Sequence, residues 1–211
     1  MKRRAFVSGM AATLLPAWSE AVLAQARSRT PGQILGPYYP VIKPEDRDAD
    51  LTEVVGRVKR AIGQIIQVRG RIFDESGNPV PLVDIEVWQA DFRGHYMHRS
   101  DRTAGEADPN FQGYASFKTD KDGQYQFTTV KPGPYQEDGA GGMRAPHIHF
   151  QVTGKVNRLI TQMYFQGEAL NDSDRVLAFA NANRSRLIAK LVPGTSSAVL
   201  IANWDIVLRD G

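Results

Sequence analysis

Arg144-Ala145-Pro146-His147-Ile148-His149-Phe150 decides how this chain is read, and it holds two of the four histidines. Successive side chains of a strand point to opposite faces, so histidines at i and i+2 present both imidazoles to one side. Ile148, Phe150 and Val152 then share the other side, giving one packed face and one face equipped for chemistry. Two readings are open here: a two-ligand metal edge, or a half-buried strand whose histidines only hydrogen-bond.

Outward from this stretch the chain has the punctuation of many short strands. Ile66, Val68 and Ile72 share one parity before the turn signal Asp74-Glu75-Ser76-Gly77-Asn78-Pro79, and Val83, Ile85 and Val87 alternate with polar neighbours. Residues 92–112 lack periodicity and form a long loop, a length that in compact domains is usually functional or disordered. Tyr114–Thr119 and Gln124–Val130 read as strands joined by a hairpin turn, Asp120-Lys121-Asp122-Gly123, with Gly123 where φ > 0 is needed. A Gly-rich loop, 139–142, precedes the histidine strand, and further strands are expected at 159–165 and 198–208. Helical candidates are short, Ser173–Ala180 with Ser173 as N-cap, and Arg184–Leu191. The fold class predicted is all-β: an antiparallel β-sandwich with long functional loops and one or two short helices. Residues 27–64 form an N-terminal arm, too rich in apolar and aromatic bulk at Gly36-Pro37-Tyr38-Tyr39-Pro40 for a free linker, so it is expected to pack.

Residues 1–26 read as a secretory leader: Lys2-Arg3-Arg4, Ala5-Phe6-Val7, an apolar run over 10–16 and a small-x-small site at Ala24-Gln25-Ala26. The paired arginines fit the twin-arginine type, which exports folded proteins, so a periplasmic location is expected. The apolar run falls short of the ~20 residues a membrane span needs. Residues 27–211 form the expected single domain. Removing Lys2, Arg3, Arg4 and Glu20 lowers the formal charge from +3 to +1, so no basic footprint for nucleic acid remains. Cysteine is absent, which excludes disulfides, thiolate metal sites and cysteine nucleophiles.

A metal at a His-x-His edge would need carboxylate, water, tyrosine or the remaining histidines to complete its shell. Two imidazoles with hard oxygen ligands suit ferric iron better than a structural zinc site. Tyr96, in Gly94-His95-Tyr96-Met97-His98, and Tyr135, closing Pro132-Gly133-Pro134-Tyr135, stand in suggestive places. A free phenol titrates near pH ~10, so binding as the anion at neutral pH requires a strong Lewis acid such as ferric iron. Taken alone, a tyrosine is far more often a core or surface residue than a ligand, and His95 and His98, at mixed parity on a loop, read as hydrogen-bonding loop residues rather than ligands.

Tyr96, Tyr135, His147 and His149, with Arg144 three residues before the first histidine, resemble the intradiol ring-cleavage dioxygenases. The resemblance includes Gly36-Pro37-Tyr38-Tyr39, Val87-Trp88-Gln89-Ala90, Asp108-Pro109-Asn110-Phe111, Leu159-Ile160-Thr161-Gln162 and Asp205-Ile206-Val207-Leu208-Arg209, in an order most similar to the iron-bearing subunit of protocatechuate 3,4-dioxygenases. It implies an Fe(III) cofactor held by Tyr96, Tyr135, His147 and His149. An aromatic diol would bind through both oxygens, Tyr135 would leave the metal carrying one of the two protons, and O2 would open the ring to a muconate-type diacid. Arg144 would stabilise charge developing on the ring, Gln162 would accompany it, and Pro37 and Tyr38 would line the substrate. The resemblance also implies a homo-oligomer or a partner subunit. The chain departs from the protocatechuate pattern after Tyr135, where Gln136-Glu137-Asp138 replaces a Pro-Trp pair, and at Ala145-Pro146, which stands in the reverse of the usual order. No amphipathic helical stretch precedes Ile65, which favours the protocatechuate-like branch over the catechol and hydroxyquinol enzymes.

Two other classes compete. A non-catalytic transthyretin-like or carboxypeptidase-regulatory-like β module shares the Gly77-Asn78-Pro79-Val80-Pro81 turn, the Asp122-Gly123 turn and the Pro-Gly-x-Tyr ending, but leaves the order of Arg144, His147, His149 and Gln162 unexplained. A zinc hydrolase is weaker still, because no acidic residue sits at a recognisable ligand spacing.

Overall fold

The computed structural model describes residues 26–137, 142–196 and 199–209; the expected leader lies outside them apart from Ala26, as does most of the Gly-rich loop. In chain order the described strands are β1 (Ile65–Phe73), β2 (Asp84–Trp88), β3 (Tyr114–Lys118), β4 (Gln124–Val130), β5 (Tyr135–Glu137), β6 (Gly142–Arg144), β7 (His147–Thr153), β8 (Arg158–Phe165), β9 (Ile188–Ala189), β10 (Leu191–Pro193), β11 (Leu200–Asn203) and β12 (Ile206–Val207). One short α-helix, α1 (Arg175–Ala178), lies between 3-10 turns at Ala169–Asp172 and Asn181–Leu187.

Two five-stranded sheets carry the architecture. In the first, β1 pairs with antiparallel β4 on one side and with parallel β11 and β12 on the other, while β10 runs antiparallel to β11. The second has the order β3-β2-β7-β8-β9. Ile66, Val68, Ile72 and Phe127 from the first sheet share one core with Ile85, Val87, Ile148, Phe150 and Val152 from the second. The rings of Phe127 and Phe150 lie 5.9 Å apart across it. Burying each such side chain stabilises the fold by roughly 1.5–3 kcal/mol, which fixes the register of β7 because a one-residue slip would turn its apolar face outward.

The opposite face of β7 is also covered. Trp88, Tyr38, Tyr96 and Tyr135 form a second cluster there, with the arm laid over it. The arm is tied down by backbone bonds, Thr30 to the Val207 carbonyl at 3.1 Å, Gln33 to that of Ile160 at 2.8 Å and Leu51 to that of Thr128 at 2.9 Å. Tyr39 and Lys43 both donate to Glu86 on β2 at 2.7 Å.

Several expectations are corrected. The sheets are mixed rather than purely antiparallel, because β11 and β12 join β1, and β9 joins β8, in parallel. Apolar alternation is the same for either direction, so the pattern carried no sign of it. The two strands flanking Asp120–Gly123 do not pair with each other: β3 joins β2 and β4 joins β1, so this turn carries the chain from one sheet to the other. Gly123 does adopt positive φ, +73°. The strand expected over 198–208 runs as two pieces in one register, interrupted at Trp204-Asp205, where Asp205 accepts the Arg71 N–H. Ser173 does not cap α1; Asp174 does, accepting the Leu177 N–H at 2.9 Å. The second helical candidate is a 3-10 turn that gives way to β9.

The interruption explains Gly70. A Cβ there would lie 1.9 Å from the Trp204 carbonyl oxygen, which itself accepts the Tyr125 hydroxyl. Gly70→Ala is therefore expected to cost about 1–3 kcal/mol in urea unfolding, the range for overpacking a tight site; wild-type stability would show that the β1–β12 junction is looser than described.

Candidate active site

Strand register assembles the site. On the outer face of the second sheet, His149 stands opposite Trp88 on β2 and Gln162 on β8, and His147 stands opposite Tyr164. The Trp88 indole stacks on the His149 imidazole, centroids 4.8 Å apart and planes 12° from parallel. His147 Nδ1 is 2.6 Å from the Ala145 carbonyl. A carbonyl only accepts, so Nδ1 carries the proton and Nε2 keeps its lone pair. That Nε2 lies 3.1 Å from Nε2 of His149. Burial first, then the Arg144 charge, hold the His147 pKa well below the ordinary imidazole value, and burial, His147 and Arg144 do the same for His149. Both rings are neutral, as ligands require.

The tyrosines arrive by different routes. Tyr135 and Arg144 are cross-strand partners in the small β5–β6 hairpin, so one register pair brings the phenol and the guanidinium together. Tyr96 comes from the long loop, where Asp101 accepts its backbone N–H at 2.9 Å and Asp91 accepts those of Arg93, His95 and Asp108. The Tyr96 and Tyr135 rings meet edge to face at 5.2 Å, and Tyr38 from the arm stacks on Tyr96 at 4.5 Å. The Tyr96 hydroxyl is buried with no hydrogen-bond partner. Burial pushes its pKa well above the usual phenol value and raises that of Tyr135 to about 12, so both are neutral phenols unless something replaces the proton.

Arg144 is 1% exposed. Its Nε donates to Asp174 Oδ2 at 2.9 Å, and Nη2 donates to Gln162 Oε1 at 2.7 Å and to the Tyr164 hydroxyl at 2.9 Å. Nη1 points at the Tyr135 hydroxyl, 3.4 Å away. Burial opposes the charge, but the Tyr164 and Tyr135 oxygens and the Asp174 carboxylate outweigh it and hold the guanidinium protonated. Gln162 also donates to the Ile34 carbonyl at 3.0 Å, so it joins the arm to the arginine.

The structure thus places Tyr38, Tyr96, Tyr135, Arg144, His147, His149 and Gln162 in one cluster. Pro37 is exposed in the adjoining turn, outside the aromatic contacts. His95 lies 3.6 Å from Asp101, while His98 accepts the Ser100 N–H at 3.2 Å and sets its ring edge-on to Tyr38, 5.8 Å between centroids. Asp174 and Tyr164 were missed: Asp174 gives no sequence signal beyond that of any N-cap, while Tyr164 shares the parity of Gln162 on β8 and could have been found from it. Trp88 is buried in the aromatic cluster and lies against His149.

The donor set fits a cation. Two ligand nitrogens each ~2.0–2.1 Å from one ion at roughly a right angle would stand ~3 Å apart, which matches the observed His147–His149 spacing of 3.1 Å. Among the described residues no group of three or more His, Asp and Glu gathers, which leaves tyrosine oxygens and water to complete the shell of such an ion.

Comparison with known proteins gives the same direction. The Dioxygenase family profile matches residues 34–210. The chain is 39% identical over 181 residues to the protocatechuate 3,4-dioxygenase beta chain of Burkholderia cepacia, covering 82% of this chain and 77% of the relative. It is 30% identical to the alpha chain from the same organism, covering 84% of each. Hydroxyquinol 1,2-dioxygenase of Nocardioides simplex is 33% identical over 70% of this chain, which spans only 51% of that relative. The mercury-inhibited structure of catechol 1,2-dioxygenase from Acinetobacter sp. ADP1 superposes with a TM-score of 0.66 at 27% identity, covering 85% of this chain and 62% of that one. The chain belongs to the intradiol ring-cleavage dioxygenases. It is an oxidoreductase of that class, and the non-catalytic β-module reading is set aside.

Gly36 supplies a local test. It sits at φ +78°, and a Cβ on it would lie 3.0 Å from His149 Cε1, whereas Gly56 at φ +80° has nothing within 4 Å. Alanine at positive φ costs about 1 kcal/mol. Gly56→Ala should show that cost alone in chemical unfolding, and Gly36→Ala at least about 1 kcal/mol more. Equal losses would mean the arm does not press on the imidazole.

Proposed function

We propose that the chain is a non-haem Fe(III) intradiol dioxygenase that cleaves a protocatechuate-like catechol with O2 between its hydroxylated carbons, giving a muconate-type diacid. The observation that carries it is the convergence of the His147 and His149 Nε2 atoms, 3.1 Å apart, beside the buried, partnerless Tyr96 hydroxyl. His147, His149, Tyr96 and Tyr135 would hold the ion. Bound ferric iron would supply the Lewis acidity that favours phenolate and catecholate forms and the redox chemistry with O2.

The chain's own residues do the rest. The Ala145 carbonyl keeps the His147 proton on Nδ1 and its Nε2 free. Held as the phenolate by the ion, Tyr135 would take one proton from the incoming diol on its oxygen and become the neutral phenol that faces Arg144. Arg144 sets a fixed positive charge against a ring that becomes electron-rich, in a buried site where such preorganised charge acts strongly. Tyr38, Tyr96, Tyr135 and Trp88 line the site with rings, suited to an aromatic substrate. Residues 1–26 are proposed as a leader that sends the folded domain, 27–211, to the periplasm. The domain is proposed to work as a homo-oligomer or with a partner subunit, which the alpha and beta chains among its relatives support.

The purified iron-loaded protein should be coloured by a tyrosinate-to-iron band that shifts on adding a catechol, and should consume O2 with protocatechuate. A protein that stays colourless after iron reconstitution would refute the iron assignment. Tyr96→Phe and His149→Ala should each lose iron or at least about 100-fold in kcat, while His98→Ala keeps both. Full iron and activity in Tyr96→Phe would move the ligand to another tyrosine.

A further inference from the structure

Asp174 belongs to no motif, yet its buried carboxylate accepts three hydrogen bonds. Its side chain is 0% exposed. Oδ2 accepts two hydrogen bonds at 2.9 Å, from Arg144 Nε and from the Ala145 backbone N–H, and Oδ1 accepts the Leu177 N–H that starts α1. One carboxylate therefore grips the guanidinium, the backbone immediately before Pro146 and His147, and the first turn of a helix.

A guanidinium has five N–H donors in a rigid plane. In Arg144, Nε is committed to Asp174, and Nη2 to Gln162 and Tyr164. Nη1 has only the 3.4 Å contact to Tyr135, so its donor capacity is what remains for the reacting side of the site. Gln162 and Tyr164 both hold Nη2, at one corner of the fork, and cannot by themselves set its rotation. The Nε bond to Asp174 is the second fixed point, and two points define which nitrogen faces Tyr135.

We propose that Asp174 is a positioning residue for ring cleavage: through its bond to Arg144 Nε it fixes the guanidinium so that Nη1 faces Tyr135 and the diol. This rests on the iron-dependent reading of the site above. Asparagine is as good an N-cap as aspartate, so Asp174→Asn can keep its oxygen on the Leu177 N–H while its NH2 replaces the oxygen that accepts from Arg144 Nε and the Ala145 N–H. A misplacement of about 1 Å at a reacting group can cost roughly 100-fold.

In the iron-loaded enzyme, Asp174→Asn is expected to lower kcat about 30- to 100-fold with KM within about three-fold. Iron content and the visible band without substrate should match the wild type, and Asp174→Glu, which restores the anion, should regain part of the rate. Wild-type kcat in Asp174→Asn would overturn the assignment, as would a loss that follows iron content alone. Melting of the metal-free protein gives a reading independent of turnover. Arg144→Gln and Asp174→Asn should each lower the Tm, and the double variant should melt no lower than the worse single one, because removing both partners leaves no uncompensated buried charge. Additive losses would overturn the pairing. Should Asp174→Asn not fold, the double variant is expected to fold, and its failure to do so would count equally against the proposal. A wild type that cleaves no diol would refute the dioxygenase chemistry, while the melting cycle would still report on the Arg144–Asp174 pair.

Discussion

Everything at the site depends on the period-two alternation of β7 between two buried faces. Ile148, Phe150 and Val152 are locked into the sheet-to-sheet core, so His147 and His149 have no freedom to choose their side. The neighbours across the ladder follow from the same register: Trp88 and Gln162 beside His149, Tyr164 beside His147. Core packing is thus what aims the imidazoles, and the site inherits the rigidity of the core. The arm closes the outer face over these groups, with Gly36 against His149 and the Ile34 carbonyl on Gln162.

The second constraint is electrostatic. A guanidinium buried to 1% exposure is tolerable only if its donors are satisfied and its charge is countered. Asp174, Gln162 and Tyr164 do this along two edges of the fork and leave the third toward Tyr135. That charge also helps keep both histidines neutral. The same residue that orders the site therefore adds to the burial that keeps the two imidazoles proposed to bind iron neutral.

How much of this was legible varied with the kind of information. Residues adjacent in sequence or bound by strand parity were legible: His147 with His149, and Arg144 just before them. Tyr96 and Tyr135 were reached by family resemblance, since nothing in a single chain says that a loop and a two-stranded hairpin meet. Alternation locates the longer strands but not the short β5, β6, β9 and β10, and it does not give partners, so neither the passage between sheets at Asp120–Gly123 nor the parallel pairing of β11 and β12 with β1 can be read from it. Asp174 could not be separated from its neighbour Ser173, because both are good caps and the bond that distinguishes them spans 30 residues to Arg144.

The proposed chemistry requires one ion to join these four side chains. Anomalous diffraction at the iron edge from crystals of the iron-loaded protein tests that directly. The predicted result is a single iron peak within bonding distance of His147 Nε2, His149 Nε2 and the hydroxyl oxygens of Tyr96 and Tyr135. An iron peak elsewhere, or one bound by the two histidines with neither tyrosine, would contradict it.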